Sequence, residues 1–403
     1  MERRRFLRSI AAGALIAGRS ALPNSAPQPN LLVLAVGEWP ARAIETADSD
    51  IHTPNLRKLA EAGVQFPRAY TTYPLPDPSR AALVTGHFPH SCGVLHQGIP
   101  LPPNINRLSE AFKAFGYRTG YFGEWRAVEP HPREHGFEES GPQTVDAAPF
   151  LRRGEKPFFA FCALTLPEHP APKYTSLYSP GDMHVRDNVP VEFANQAAAE
   201  YAECYARCSA ADDEIGNLLQ ILDERGLTRE TIVLFTADCG VLLGSHGLQD
   251  ADSWYEESVG VPLLIRYPRV FKPGRSDLLV SNIDVMPTLL NLCGAPVPDG
   301  IQGVDLSVPL LRGGANRPES IYAAGSIRTP GEWRMIVRGL DKLVVDPALH
   351  VLHLYNLGED PGEMLDLARE PSAELKRNEL RALAKLWMSR AHDGVDPSGL
   401  RLR

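Results

Sequence analysis

The sequence feature that most restricts the fold is the alternation of short, continuous apolar runs with amphipathic helical segments. Residues 31–36 are entirely aliphatic, which is typical of a strand buried on both faces of a parallel sheet. Further strands are predicted at 64–69, 118–122, 158–164, 232–235 and 261–265, and helices at 55–62, from about Arg80, at 107–115 and at 197–225. This alternation predicts an α/β fold, with a mostly parallel central sheet covered by helices.

The pattern changes near residue 296. Short strand candidates at 334–338, 342–345 and 353–355 are followed by a charged helical segment at 372–389. At 403 residues the chain is also longer than one hydrophobic core usually supports. We therefore predict an α/β domain over residues 29–295 and a smaller C-terminal α+β subdomain over residues 296–403.

The first 26 residues have the layout of a signal peptide of the twin-arginine type. Arg3 and Arg4 precede Phe6 and Leu7, and a nine-residue apolar stretch leads into small residues. The apolar stretch is far too short to span a bilayer, and no later run reaches that length. The sequence predicts export to the periplasm or the extracellular space and no membrane span.

Overall charge argues against a nucleic-acid partner. The formal net charge is -8, and no basic run is long enough to create a positive surface.

The predicted sheet also predicts where a ligand would bind. Ligands of open α/β sheets lie beyond the carboxyl ends of the strands. Segments at those ends contain Glu38, Glu124, Glu168 and Asp238, and the loop before Arg80 would join them, with the helix that follows Pro78 offering backbone N–H groups to an anion. Trp39 and Trp125 flank the same ends, where stacking on a sugar ring and core packing are both open.

Several ordered sequence blocks together resemble the sulfatase family of the alkaline phosphatase superfamily. The blocks cover nearly the whole chain after the signal segment: Pro29-Asn30-Leu31-Leu32-Val33, Ile51-His52-Thr53-Pro54-Asn55-Leu56, Pro78-Ser79-Arg80-Ala81-Ala82-Leu83-Val84-Thr85-Gly86, Gly116-Tyr117-Arg118-Thr119, Tyr255-Glu256-Glu257-Ser258, Asp284-Val285-Met286-Pro287-Thr288 and Asp360-Pro361-Gly362-Glu363. The resemblance is to the type I, formylglycine-dependent members, such as iduronate-2-sulfatase-like and arylsulfatase-like proteins, and it implies their fold.

The resemblance also implies a chemistry. Members of the family hydrolyse sulfate esters with a formylglycine made from the first residue of a Cys-x-Pro-x-Arg motif. A calcium ion held by carboxylates, together with nearby lysine and histidine side chains, neutralises the sulfate oxygens. Such a reaction needs an oxygen-rich cation site and positive charge where negative charge develops.

This chain departs from the family pattern at most of the catalytic positions. The nucleophile position is Pro76, which has no side-chain heteroatom and cannot become formylglycine. The other departures are Gly37-Glu38 at the first acidic pair, Cys239 after the retained Asp238, Glu124 and Ala251 in place of lysines, and Arg126 and Glu168 in place of histidines. Removal of a nucleophile alone costs several powers of ten in rate, so the active site is degenerate.

Two interpretations follow from these departures. The first is an inactive exported sulfatase-like protein, without formylglycine or cofactor, that binds a sulfated or acidic glycan or another protein. Its candidate ligand contacts are Arg80, Glu124, Arg126, Glu168, His169 and His246. The second is a sulfuric ester hydrolase or another metal-dependent hydrolase with a rewired site. One divalent metal, Ca²⁺ or Zn²⁺, would then be held by Glu38, Asp77, Asp238 and Cys239, a set whose thiolate suits Zn²⁺ better.

Overall fold

The structure is a computed structural model that describes residues 28–44, 46, 48, 50–125, 131–249, 252–313 and 317–394. The predicted signal peptide lies outside these residues, as do Arg126 and Ala251. No helix within the described ranges is long and apolar enough to cross a membrane.

The described chain forms fourteen strands, most of them in a large sheet and a small one. The strands are β1 Asn30–Glu38, β2 Val64–Gln65, β3 Ala69–Tyr70, β4 Arg118–Gly123, β5 Glu139–Gly141, β6 Phe158–Leu164, β7 Thr231–Cys239, β8 Leu263–Arg266, β9 Gly274–Arg275, β10 Val280–Ser281, β11 Ser320–Gly325, β12 Trp333–Arg338, β13 Asp341–Val345 and β14 Val351–Asn356.

Helices cover the sheets and fill most connections between strands. The α-helices are α1 Pro54–Glu61, α2 Pro76–Thr85, α3 Pro89–Cys92, α4 Leu108–Ala114, α5 Ala147–Arg152, α6 Pro172–Thr175, α7 Ala194–Glu224, α8 Glu256–Val259, α9 Val285–Cys293, α10 Ser307–Arg312 and α11 Glu374–Arg390.

The large sheet has the strand order β5-β4-β6-β1-β7-β8-β2-β9. Strands β5, β4, β6, β1 and β7 are mutually parallel, whereas β8 runs antiparallel to β7. All residues of β6 and β7 are buried, because helices pack on both faces of this sheet. The predicted α/β fold with a mostly parallel central sheet is therefore confirmed.

A four-stranded antiparallel sheet, β11 to β14 in sequence order, forms the C-terminal part of the chain. Helix α11 packs on it, and a hydrophobic cluster joins it to the first part of the chain. In that cluster Phe88 makes edge contacts with Tyr322 and Trp387, with ring centroids 5.7 and 6.0 Å apart. The predicted small α+β region is present, and its core is continuous with residues of α2 and α3.

Several elements were not predicted, among them β5, β9, β10, β11, α5 and α9. Most predicted elements agree with the structure to within a few residues, and three differ. The predicted strand at 64–69 is two short strands that belong to different sheets, β8 is antiparallel, and α2 begins at Pro76 rather than near Arg80. The helix starts early because proline lacks the N–H that a first helical residue leaves unbonded, and its fixed φ suits that position.

Candidate functional site

Four of the predicted site residues follow neighbouring strands at the carboxyl edge of the large sheet. Glu38 ends β1, Glu124 follows β4, and Glu168 lies in the loop after β6. Asp238 is the second-last residue of β7. Because the order of these strands is β4-β6-β1-β7, with about 4.8 Å between neighbours, the sheet brings the four residues to one edge.

Gly123 fixes the geometry where β4 leaves the sheet. Its φ is +113°, and a Cβ added there would lie 2.0 Å from the carbonyl oxygen of Ala163 on β6. Only glycine fits this close approach of two backbones. The next residue, Glu124, is thereby directed out of the sheet, and its amide donates to the same carbonyl oxygen at 3.3 Å.

The nucleophile position is built into the start of helix α2. Pro76 is the first residue of the helix and is buried, as are Asp77 and Pro78. Two prolines among the first three helical residues remove two of the N–H groups that an anion would need. The remaining amide, that of Asp77, donates to Gln97 Oε1 at 3.3 Å. The predicted anion site at this helix N-terminus is therefore wrong.

Arg80 is paired with Asp238 across the interior of the site. The Arg80 Nε and Nη2 atoms lie 2.8 Å from the two carboxylate oxygens of Asp238, and Nη1 is 3.3 Å from the Tyr121 hydroxyl. Both charged residues are buried, at 3% and 1% exposure. Burial by itself lowers the pKa of Arg80, but the Asp238 charge outweighs it and the net pKa is raised. The guanidinium therefore stays charged and neutralises Asp238.

Of the four residues proposed as metal ligands, three have other hydrogen-bond partners and the fourth is exposed to solvent. Asp77 Oδ2 accepts a hydrogen bond from the Gly98 amide at 2.6 Å, and Glu38 is exposed. The buried Cys239 thiol donates to the Gly37 carbonyl at 3.6 Å. Within the described part of the chain, these side chains and Asp238 do not form a group of three metal-ligating atoms. The family's calcium ion does not fit, because Gly37 offers no side chain and Arg80 takes both Asp238 oxygens.

The outer rim of the same edge is acidic. Glu38, Glu124 and Glu168 are exposed, and so is His169. Glu124 Oε2 accepts a hydrogen bond from Thr165 Oγ1 at 3.3 Å, which ties the β4 loop to the β6 loop. We call Glu38, Glu124 and Glu168 the acidic rim.

The two tryptophans beside the site pack inward. Trp39 is fully buried, its Nε1 donates to the Ala43 carbonyl at 3.0 Å, and its ring meets Phe235 edge-on. Trp125 is half-buried and makes an edge contact with Tyr121, with ring centroids 4.5 Å apart. Trp39 is therefore not available to stack on a sugar, and core packing accounts for it.

His246 lies in a turn after β7, away from the pair formed by Arg80 and Asp238. Its φ is +58°, its ring stacks on Tyr255 with centroids 3.5 Å apart, and its Nε2 is 3.0 Å from Asn188 Nδ2. Burial lowers the pKa of His246, so the ring is neutral at pH 7. The side chains around His246 were not predicted as site residues from the sequence. Glu257 and Glu363 appear there only within the blocks that resemble the family.

Comparison with known proteins finds one matching family model and relatives that share its name. The family model described as "Sulfatase" matches residues 29–147 and 142–295. An ulvan-active sulfatase from Formosa agariphila is 31% identical over an alignment of 330 positions, which covers 70% of this chain and 64% of that protein. An N-acetylglucosamine-6-O-sulfatase from Bacteroides thetaiotaomicron is 24% identical over an alignment of 441 positions, gaps included, which covers 82% of this chain and 77% of that protein.

A solved structure shares the fold over nearly its whole length. It is a protein in complex with its substrate D-glucosamine-2-N,6-O-disulfate, with a TM-score of 0.81 and 22% identity, covering 92% of this chain and 99% of that chain. At this identity the likeness extends to the fold alone.

Proposed function

Because the chain belongs to the sulfatase family, we propose that it retains the family scaffold as a non-catalytic protein that binds a glycan or a protein partner. The family reaction requires a formylglycine, a calcium ion and cationic groups around the sulfate. Pro76, Gly37, Glu124 and Glu168 supply none of these.

The observation that carries the proposal is the buried ion pair between Arg80 and Asp238. In a calcium-dependent relative the retained aspartate would bind the metal. Here the guanidinium satisfies both carboxylate oxygens at 2.8 Å, and a carboxylate with two charge-assisted hydrogen bonds has little to gain from a cation. The arginine thereby stands in for the metal as a structural counter-charge.

The negative charge of the acidic rim limits the chemical classes of ligand that can bind there. The named relatives act on ulvan and on an N-acetylglucosamine 6-O-sulfate, which supports a carbohydrate as the ligand class. A sulfate group placed beside Glu124 and Glu168 would meet like charge, which costs free energy. In place of the sulfated or acidic glycan expected from the sequence, we infer that the rim favours glycan segments without sulfate, or a protein partner with a basic surface.

The proposed location follows from the first 26 residues alone. Their twin-arginine pattern supports export of the folded protein. An exported protein would meet polysaccharides in the same compartment as secreted sulfatases.

The test has a catalytic part and a binding part. Purified protein is assayed with aryl sulfates, beside the Arg80→Ala variant, and then with ulvan oligosaccharides before and after chemical desulfation by isothermal titration calorimetry. We expect no turnover above the variant, and tighter binding of the desulfated oligosaccharides. Aryl sulfate turnover that the variant lacks would overturn the non-catalytic proposal. Absence of binding to both oligosaccharide forms would overturn the glycan proposal.

The metal-dependent hydrolase remains the alternative, but no contact in the described residues favours it. Asp238 is neutralised by Arg80, and the Cys239 thiol is buried against the Gly37 carbonyl. Metal retained by wild-type protein and by His246→Ala, but lost in folded Asp238→Asn, would support this alternative against our proposal.

A further inference from the structure

A second cluster of metal-ligating side chains lies beyond the end of β7. It consists of His246, Glu257 and Glu363, whose ligand atoms all lie within 4.8 Å of one another, together with Asn188. We call these four residues the His246 cluster. The backbone of Glu257 packs directly against Gly240, two residues after Asp238. The cluster is therefore near the pair of Arg80 and Asp238, but it shares no side chain with that pair or with the acidic rim.

The cluster contains acceptors that lack donors. Within the described residues, Glu257 Oε2 and Asn188 Oδ1 are buried without a hydrogen-bond partner, in side chains that are each 7% exposed. His246 Nε2 lies 3.8 Å from Glu257 Oε2, which is too long for a hydrogen bond. A buried acceptor without a donor costs free energy. A group that accepts electron pairs, such as a metal ion, would remove this cost in the cluster.

The spacing of these atoms fits a metal ion. Ligands about 2.0–2.2 Å from a tetrahedral Zn²⁺ lie roughly 3.4 Å apart, so the 3.8 Å gap between His246 Nε2 and Glu257 Oε2 needs only a small adjustment. The Asn188 Nδ2 atom is 3.0 Å from His246 Nε2 and 2.9 Å from Glu257 Oε1. Rotation of this amide by 180° would turn its oxygen toward the same gap.

Charge around the cluster leaves room for a cation. Three carboxylates, those of Glu256, Glu257 and Glu363, meet two cations. Lys342 Nζ lies 2.9 Å from Glu256 and 2.8 Å from Glu363, and Arg186 Nη1 lies 3.7 Å from Glu257 Oε1. Glu257 is thus the carboxylate with the weakest compensation, and it faces the histidine.

We propose that the His246 cluster binds one Zn²⁺ ion, with His246 Nε2 and Glu257 Oε2 as the principal ligands and Asn188 Oδ1 and Glu363 Oε1 completing the site. Histidine nitrogen with carboxylate oxygens is a ligand set that Zn²⁺ accepts and that Ca²⁺ does not favour. The ion would join the loops at Asn188 and His246 to the C-terminal segment at Glu363. Its role would be to fix the C-terminal subdomain against the large sheet.

The test is metal content and metal-dependent stability, and it requires no knowledge of the activity. Full-length mature protein is purified without chelator for elemental analysis. It is then stripped with EDTA and titrated with ZnCl₂ while thermal unfolding is followed. We expect about one zinc per chain and a melting temperature that rises with zinc. Wild-type protein that is folded, retains no zinc and shows no zinc-dependent shift would overturn the proposal.

Matched variants locate the ion. Glu257→Gln keeps the size of the side chain and its contact with Asn188, and with His246→Ala it should weaken zinc binding at least 100-fold. His350→Gln and Glu359→Gln change an exposed histidine and an exposed glutamate and should bind zinc like wild type. Far-UV circular dichroism checks that each variant is folded. Zinc retained by folded Glu257→Gln and His246→Ala, or lost only in Asp238→Asn, would overturn the assignment.

Discussion

At the residue scale, Arg80 and Asp238 form a buried ion pair at the carboxyl edge of the large sheet. Each side chain is buried and charged, and each satisfies the other in a bidentate arrangement. A buried pair of this kind adds little net stability, but removal of one partner leaves an uncompensated charge. Each of the two charged side chains therefore depends on the other for compensation of its charge.

Asp238→Ala should destabilise the protein by about 3–5 kcal/mol, because the Arg80 guanidinium would remain buried without its counter-charge. The double variant Arg80→Met with Asp238→Leu should lose less than Asp238→Ala alone. Urea unfolding of the three proteins measures both effects. A loss below about 1 kcal/mol for Asp238→Ala would show that the pair is not formed as described.

Pro76→Cys should not restore sulfatase activity, although it recreates the Cys-x-Pro-x-Arg spacing with Pro78 and Arg80. The charge reversal at Glu124 and the missing carboxylate at Gly37 remain, so negative charge on the sulfate would find no counter-charge. Aryl sulfate turnover is measured after mass spectrometry has established whether the cysteine was converted to formylglycine. Turnover by the converted variant would contradict the proposed loss of the sulfate site.

Glu124→Lys should reverse the preference of the acidic rim. Exposed Glu124 carries a negative charge at the end of β4, and a lysine there would attract sulfate. We expect roughly tenfold tighter binding of a sulfated oligosaccharide, equal to about 1.4 kcal/mol, and an intermediate effect for Glu124→Gln. If both variants bind the sulfated oligosaccharide with the affinity of wild type, the acidic rim is not part of the binding surface.

At the element scale, two contacts between backbone segments set the positions of neighbouring strands and helices. Gly123 lets β4 pass the Ala163 carbonyl, and Asp284 joins the start of α9 to the segment that follows Gly303. Asp284 accepts backbone hydrogen bonds from Ser281 at 2.9 Å and from Val304 at 2.7 Å. Burial raises its pKa to about 6, an effect that these hydrogen bonds only partly oppose.

Gly123→Ala should destabilise the protein by at least about 2 kcal/mol, since its positive φ and the 2.0 Å approach to Ala163 both oppose a Cβ. Gly331→Ala is the control, because a Cβ at that position would have no other atom within 4 Å. Both are compared by urea unfolding. Equal stability of the two variants would contradict the described contact between β4 and β6.

Asp284→Asn should make stability less dependent on pH between about 4 and 6. The native pKa of Asp284 is about 6 and an unfolded aspartate titrates near 3.9, so the native state binds more protons in this window. Stability from this group is therefore present below pH 4 and is lost as pH rises to 6, by about 3 kcal/mol. Urea unfolding at pH 4 and pH 7 measures the free energy of unfolding of both proteins. Between these pH values the variant should gain stability relative to wild type by roughly the same amount.

At the scale of the whole molecule, the C-terminal sheet is part of one continuous packing arrangement. Tyr73 and Phe88, from the first part of the chain, are fully buried in a cluster with Tyr322 and Ile336 of the C-terminal sheet. The buried Lys342 adds an ionic link to Glu256 of α8. The C-terminal sheet therefore shares a hydrophobic cluster with segments that connect the strands of the large sheet. Residues just after the predicted boundary at 295, including Leu306, pack instead with the core of the large sheet.

A chain that ends at residue 295 should fail to fold cooperatively, because it would expose the faces of Tyr73 and Phe88. Full-length protein should unfold in one calorimetric transition, whereas two separate transitions would indicate independent domains. The matched control ends at residue 394 and removes only residues that follow the described chain. A soluble fragment 28–295 with a cooperative transition would contradict this prediction.

Part of this protein can be predicted from the sequence because burial leaves a local signature. Strand β6 agrees with its predicted bounds, since all seven residues are apolar and buried. The start of α2 lies at Pro76, four residues before the predicted start near Arg80, because proline is favoured at a first helical position. Strand β11 pairs only through β12 at the edge of its sheet, and no alternation in its sequence revealed it.

The α/β fold class, the proline at position 76 and the carboxylates at the strand ends can all be predicted or read from the sequence. These features depend on residue type and on neighbours along the chain. The ion pair of Asp238 with Arg80, 158 residues away, and the meeting of Asn188, His246, Glu257 and Glu363 in one cluster are visible in the folded chain alone. The physical reason is that charge pairing and ligand geometry depend on distances between segments, which the packing of the sheets sets and local sequence does not encode.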